Sequence, residues 1–121
     1  LSCEVGVLGG RVRAGDLAVS GGRADQFLGD FRPDIAFLGS GGVDAVDGLT
    51  DFHYEEARLR QRMLTLSARS WVLADGSKHR VVAPVHVADL DQLAGLVTDI
   101  APSGELGAAL DAAGVEIRVA R

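Results

Sequence analysis

Short apolar runs closed by glycine turns alternate along this chain with stretches of helical periodicity. Val5, Val7 and Leu8 run into Gly9-Gly10 and predict a first buried strand. Ser20 is a cap candidate, and Ala24, Phe27, Leu28 and Phe31 then fall at i, i+3, i+4 and i+7, which predicts a helix ended by Pro33. Ile35-Ala36-Phe37-Leu38 predicts the next strand, and Gly39-Ser40-Gly41-Gly42 reads as a loop too glycine-rich to continue a strand or a helix. Thr50 or Asp51 can cap a second helix running to near Arg69, with Leu59, Met63 and Leu66 inward and Arg58, Arg60 and Arg62 clustered elsewhere.

Trp71-Val72-Leu73-Ala74 predicts a third strand, followed by the polar turn Asp75-Gly76-Ser77-Lys78. Residues 84–87 and the pair Leu96-Val97 predict two more. Ser103 then caps a helix whose stripe is Leu106, Ala109, Leu110 and Ala113, with Gly114 at the left-handed C′ position. Val115, Ile117 and Val119 alternate with Glu116 and Arg118, a strand with one exposed face. The alternation predicts an α/β domain with a mostly parallel sheet and right-handed crossovers. Ligands in such sheets bind at the carboxyl ends of the strands, where residues 39–50, 75–78 and 99–103 would gather.

Composition narrows the class. At 121 residues the chain is one domain, and 16 glycines with few aromatics suit an α/β protein of many tight turns. A net charge of −5 disfavours direct binding to a phosphate backbone, so no DNA contact is expected of this piece. Cys3 has no partner cysteine for a disulfide, which makes a reducing, cytoplasmic setting the simpler expectation. No apolar run approaches the roughly 20 residues needed to cross a bilayer, and no membrane partner is expected.

The chemistry concentrates in three places. Asp44 and Asp47 stand three residues apart in a glycine-rich loop, where carboxylates could accept hydrogen bonds from sugar hydroxyls and Gly41 and Gly42 could bring backbone N–H groups to an anion. The same aspartates equally suit turn capping in a solvated loop. Glu56 shares a helix face with Met63 and would point toward the sheet edge, although a carboxylate in a first turn also suits the helix dipole. Lys78 and Ser77 follow a strand, a sensible place to hold a phosphate or hydroxyl, or simply a solvated turn. His53, His79 and His86 lack metal-ligand spacing, so no metal and no cofactor is expected, and no Walker loop, nucleophile elbow or dinucleotide fingerprint is present.

Taken in order, Gly9-Gly10, Pro33-Asp34-Ile35-Ala36-Phe37-Leu38-Gly39, Gly42-Val43-Asp44, Gly48-Leu49-Thr50, Glu55-Glu56-Ala57, Leu73-Ala74-Asp75-Gly76-Ser77-Lys78 and Thr98-Asp99 resemble the sensor domain of DeoR-family transcription regulators. The resemblance implies a Rossmann-like three-layer sandwich related to ribose-5-phosphate isomerase. It implies an effector-binding domain that responds to a sugar phosphate and works with an upstream winged helix-turn-helix domain. It also implies that a first strand and its phosphate loop precede the position where this chain opens.

Isomerases of that kind carry a D-G-A-D-E-[VI]-D loop followed by a catalytic lysine in a glycine-rich segment. Here Gly41 replaces the first aspartate, Asp44 and Asp47 match the other two, and no such lysine segment lies between Gly48 and Glu55. Acid–base isomerisation needs a base and an electrophile together, so binding without catalysis is expected. The expected ligand residues are Gly41, Gly42, Asp44, Glu56 and Lys78, with no catalytic residue. A homo-oligomer is expected, and DNA is reached only through the upstream domain. The rival readings are an isomerase-like enzyme and an oligomerisation module with a vestigial pocket.

Overall fold

A computed structural model of the chain describes residues 2–7, 9, 11–12, 14, 19–20 and 22–120. The two-residue strands β1 (Arg11–Val12) and β2 (Val19–Ser20) pair antiparallel and lead into helix α1 (Gly22–Leu28). The principal sheet is fully parallel. It consists of β3 (Ile35–Leu38), β6 (Arg69–Leu73), β8 (Gly95–Thr98) and β9 (Glu116–Val119), in the order β3-β6-β8-β9. A smaller antiparallel sheet is made by β4 (Gly42–Asp44), β5 (Gly48–Asp51) and β7 (Val85–Ala88). Helices α2 (Tyr54–Leu66) and α3 (Gly104–Ala112) complete the α/β architecture.

The core follows from the pleat. In register across the parallel sheet, Leu38, Val72, Leu96 and Ile117 lie on one face, and the first three are almost wholly buried. Ala57 of α2 and Leu106 and Leu110 of α3 close over that face in a single apolar cluster, which also takes in Val43 and Leu49 of the small sheet. On the opposite face the ring of Trp71 lies across Gly95, where a Cβ would come within 2.2 Å of the indole. Glycine is therefore the residue that lets Trp71 lie flat on the sheet.

The alternation of strands and helices, the mostly parallel sheet and the strand at Ile35–Leu38 are as expected, while the strands expected over 71–74 and 115–119 run over Arg69–Leu73 and Glu116–Val119. Ser103 stands at the N-cap position of α3 as expected but its side chain makes no capping hydrogen bond, and Gly114 takes φ of 77°, also as expected. Other expectations change. Residues 4–7 form neither strand nor helix, and Val5 and Val7 are exposed: Gly6 interrupts the valine pair, and among the described residues no strand pairs with it. Leu8 and Gly10 lie outside the described residues.

Ser20 ends β2, and α1 stops at Leu28 as Gly29, Asp30 and Phe31 turn through i−3 bonds. The proposed stripe splits accordingly. Ala24 and Leu28 are buried, whereas Phe27 and Phe31 are half exposed, their ring centroids 5.3 Å apart. Thr50 and Asp51 belong to β5, leaving His53 to precede α2 without a side-chain cap. That helix ends at Leu66, and Arg69 opens the next strand. Val85–Ala88 joins the small antiparallel sheet through β5.

Candidate effector site

All four parallel strands deliver their carboxyl ends to one edge, so the segments after Leu38, Leu73 and Thr98 gather there. The segment after Leu38 is an antiparallel hairpin, β4 and β5, where a glycine-rich loop was expected. Gly42 makes the hairpin possible. A Cβ at this position would stand 2.1 Å from the carbonyl oxygen of Val81, and the Gly42 N–H donates to Ser40 Oγ at 3.0 Å. The Gly41 N–H donates to the Thr50 carbonyl at 3.0 Å. Both glycine amides are thus engaged inside the hairpin, and these two positions serve close approach of chain segments.

Asp44 turns the hairpin. Its Oδ2 accepts the N–H groups of Asp47 at 2.9 Å and Val46 at 3.0 Å. These bonds, that from Asp47 first, hold its carboxyl below the ordinary value of 3.8. Asp47 supplies a backbone donor to this turn. Next to it, Thr50 is buried and its hydroxyl accepts the Ala83 N–H at 2.9 Å. The hairpin is also tied to the turn after β6, since Val43 accepts the Arg80 N–H at 2.8 Å and bridges to His79.

Lys78 ends a short 3₁₀ helix, Gly76–Lys78. This turn is organised by two aspartates. Asp75 accepts both the hydroxyl and the N–H of Ser77, bonds that hold its carboxyl below the ordinary range, and Asp99 Oδ1 accepts the Gly76 N–H at 2.7 Å. His79 Nε2 meets Thr98 Oγ1 at 3.0 Å. Residues 75–79 and 98–99 therefore form one linked surface at the strand ends, with Lys78 set among carboxylates.

Glu56 lies elsewhere on the same edge. On the first turn of α2 it lines a cleft of about 230 Å³ with Phe37, Leu38 and Gly39 from the end of β3, and Leu59, Arg60 and Met63 from α2. Gly41, Gly42, Asp44 and Lys78 do not line this cleft. Arg60, grouped with the outward arginines on sequence grounds, instead turns in. Its guanidinium pairs with the buried carboxylate of Asp51 and lies 3.9 Å from Glu56. Arg62 pairs with Asp25 of α1 at 3.0 Å. The spacing of Glu56 and Arg60 at i and i+4 was the signal available for this pair.

The cleft offers a carboxylate that accepts hydrogen bonds, a guanidinium that donates them, and apolar walls, which together suit a small hydroxylated molecule. Among the described residues, no group of three or more histidine, cysteine, aspartate or glutamate side chains could hold a metal ion. Nor is any helix among them long and apolar enough to cross a membrane.

Residues 1–100 match the family model of the DeoR C-terminal sensor domain. The chain is 29% identical over 114 residues to the transcriptional repressor CsqR of Escherichia coli K12, covering 94% of this chain and 44% of that protein. It is 29% identical to the deoxyribose operon repressor of the same organism, over 85% of this chain and 41% of the repressor. It is also 29% identical to the glycerol-3-phosphate regulon repressor of that organism, over 78% of this chain and 37% of the relative. The chain thus spans less than half the length of the curated relatives it matches. With a match over most of its residues and the α/β fold described above, the chain belongs to the family of DeoR C-terminal sensor domains.

Proposed function

We propose that this sensor domain binds a phosphorylated sugar or polyol at the carboxyl edge of its parallel sheet and so modulates DNA binding by a helix-turn-helix domain of the regulator to which it belongs. The observation that carries the reading is the cleft at the end of β3, where Glu56 and Arg60 face a space of about 230 Å³ walled by apolar side chains. The names of two relatives, repressors of deoxyribose and glycerol-3-phosphate operons, indicate the chemical class. Asp44 and Lys78 are retained as proposed ligand residues on the hairpin and the adjoining turn, with Gly41 and Gly42 shaping the backbone between them. Binding without turnover is part of the proposal, because the isomerase-like loop has Gly41 in place of an aspartate and no lysine follows between Gly48 and Glu55. The regulator is proposed to act as a homo-oligomer in the cytoplasm.

For such a ligand to regulate, its affinity must differ between two conformations or assemblies. Thermal shift against pentose, hexose and triose phosphates tests the reading. A ligand at 100 times its Kd should add about 2.7 kcal/mol of stability. A shift with one compound, lost in Glu56→Gln and unaccompanied by turnover, is the expected result. No shift with any compound would instead favour an assembly role, to which the exposed Ile35 and Phe37 side chains lend some support.

A further inference from the structure

We propose that the amino edge of the parallel sheet carries a second binding site, built from Ser67, Arg69, Ser70 and Gln92, for the phosphate or carboxylate group of a small molecule. It lies at the opposite edge from the effector cleft and does not depend on the function proposed above. Strands β6 and β8 open at Arg69 and Gly95, and α2 ends at Leu66. Between the last turn of α2 and these strand starts is a cavity of about 260 Å³, with Leu64 and Leu93 among its walls and the four polar side chains lining it. Backbone hydrogen bonds fix its frame. The Ser67 N–H donates to the Met63 carbonyl at 3.0 Å, Ala68 to Pro33 at 2.9 Å, Arg69 to Asp34 at 3.1 Å and Ala94 to Ser70 at 2.8 Å.

The two serine hydroxyls are left over from this frame. Ser70 is only 3% exposed, and the Oγ atoms of Ser67 and Ser70 are buried with no hydrogen-bond partner among the described residues. Buried hydroxyls are normally paired, and alanine would fill either place without stranding a polar group. A serine hydroxyl turns about a single side-chain bond, so each can present its O–H to the cavity that the residue lines. Gln92 is oriented by its Oε1, which accepts the Asp89 N–H at 2.8 Å and leaves the NH2 group as the donor. Arg69, exposed, is the one charged residue among those lining the cavity. Every polar side chain there can donate a hydrogen bond and none is a carboxylate, so an oxyanion matches the set. The carboxyl end of α2 opposes an anion, but that effect is smaller than one hydrogen bond to a charged group.

The test follows the backbone amide signals of the folded chain by two-dimensional NMR as inorganic phosphate, propionate or glycerol is added. Phosphate or propionate should shift the amides of residues 67–70 and 92–94 saturably, and whichever does so names the oxyanion class; glycerol should not. In Ser67→Ala with Ser70→Ala the Kd for that oxyanion should rise about tenfold, the scale of a hydrogen bond to a charged group. The urea midpoint of this variant should hold or rise, because no contact within the protein is lost. Arg69→Gln should weaken oxyanion binding to a similar extent. No saturable shift at these amides, an equal response to glycerol, or a Kd unchanged in both variants overturns the proposal and leaves the cavity to water. A lower urea midpoint in the double serine variant also overturns it, since the hydroxyls would then have partners within the protein. Shifts confined to residues 39–60 and 75–79 would belong to the effector site, overturning this second site while leaving the proposed function standing.

Discussion

At the scale of single residues, the hairpin at the sheet edge rests on contacts that tolerate no extra atom. Gly42 faces the backbone carbonyl of Val81, which unlike a side chain cannot rotate away. Gly42→Ala should therefore cost about 1–3 kcal/mol, seen as a lower urea midpoint. Gly48 carries a different constraint, φ of 70° with the Ala88 carbonyl 2.3 Å from where a Cβ would sit. Asp44 makes a pH prediction of definite sign. Its folded pKa is depressed, so its contribution is fully present at neutral pH and disappears as pH falls below 3.8 through the folded value. The stability gap between wild type and Asp44→Ala should accordingly shrink on acidification into that range in denaturant titrations, and a gap that stays constant would refute the role of the two N–H bonds. Asp44 as a turn cap was legible in its spacing from Asp47. The inward turn of Arg60 was not, because its partner Asp51 is a neighbour only once β5 packs beside α2.

At the scale of elements, α2 is fixed as much by charge as by hydrophobic periodicity. Ala57 is its one buried residue, while Met63 and Leu64 pack only partly against the core. The Arg60–Asp51 pair joins this helix to β5. Removing the cation alone leaves a buried carboxylate uncompensated, so Arg60→Ala should cost about 3 kcal/mol in chemical denaturation. Arg60→Met with Asp51→Asn should cost clearly less, and additive losses in the double-mutant cycle would show that the two side chains do not interact. The parallel strands were legible because their apolar runs end in distinct turn signals. The hairpin was hidden because strands of three and four residues starting with glycine carry too little periodicity, and its pairing with β7 is supplied by residues more than thirty positions away.

At the scale of the whole molecule, the strand order determines what is covered. The strands β3, β6, β8 and β9 are laid down in one direction across the sheet, and right-handed crossovers between successive parallel strands put their connections on the same face. That is the face of Leu38, Val72 and Leu96, under α2 and α3. The other face carries Ile35, Phe37, Trp71, Leu73 and Val97 in register, and among them Phe37 is 60% exposed and Leu73 47%. Side chains already in water contribute little to folding, so Phe37→Ser should change stability by no more than about 0.5 kcal/mol. Leu38→Ala, one residue along and on the covered face, should cost about 2–5 kcal/mol. Contiguous exposed apolar surface also promotes association, so Phe37→Ser with Leu73→Ser should reduce binding of a hydrophobic dye and lower the sedimentation-average mass at high concentration. If Phe37→Ser instead proved as costly as Leu38→Ala, Phe37 would be covered in solution. A dimer across the sheet would then predict that the cost falls on dilution, whereas a contact within one chain would leave it independent of concentration.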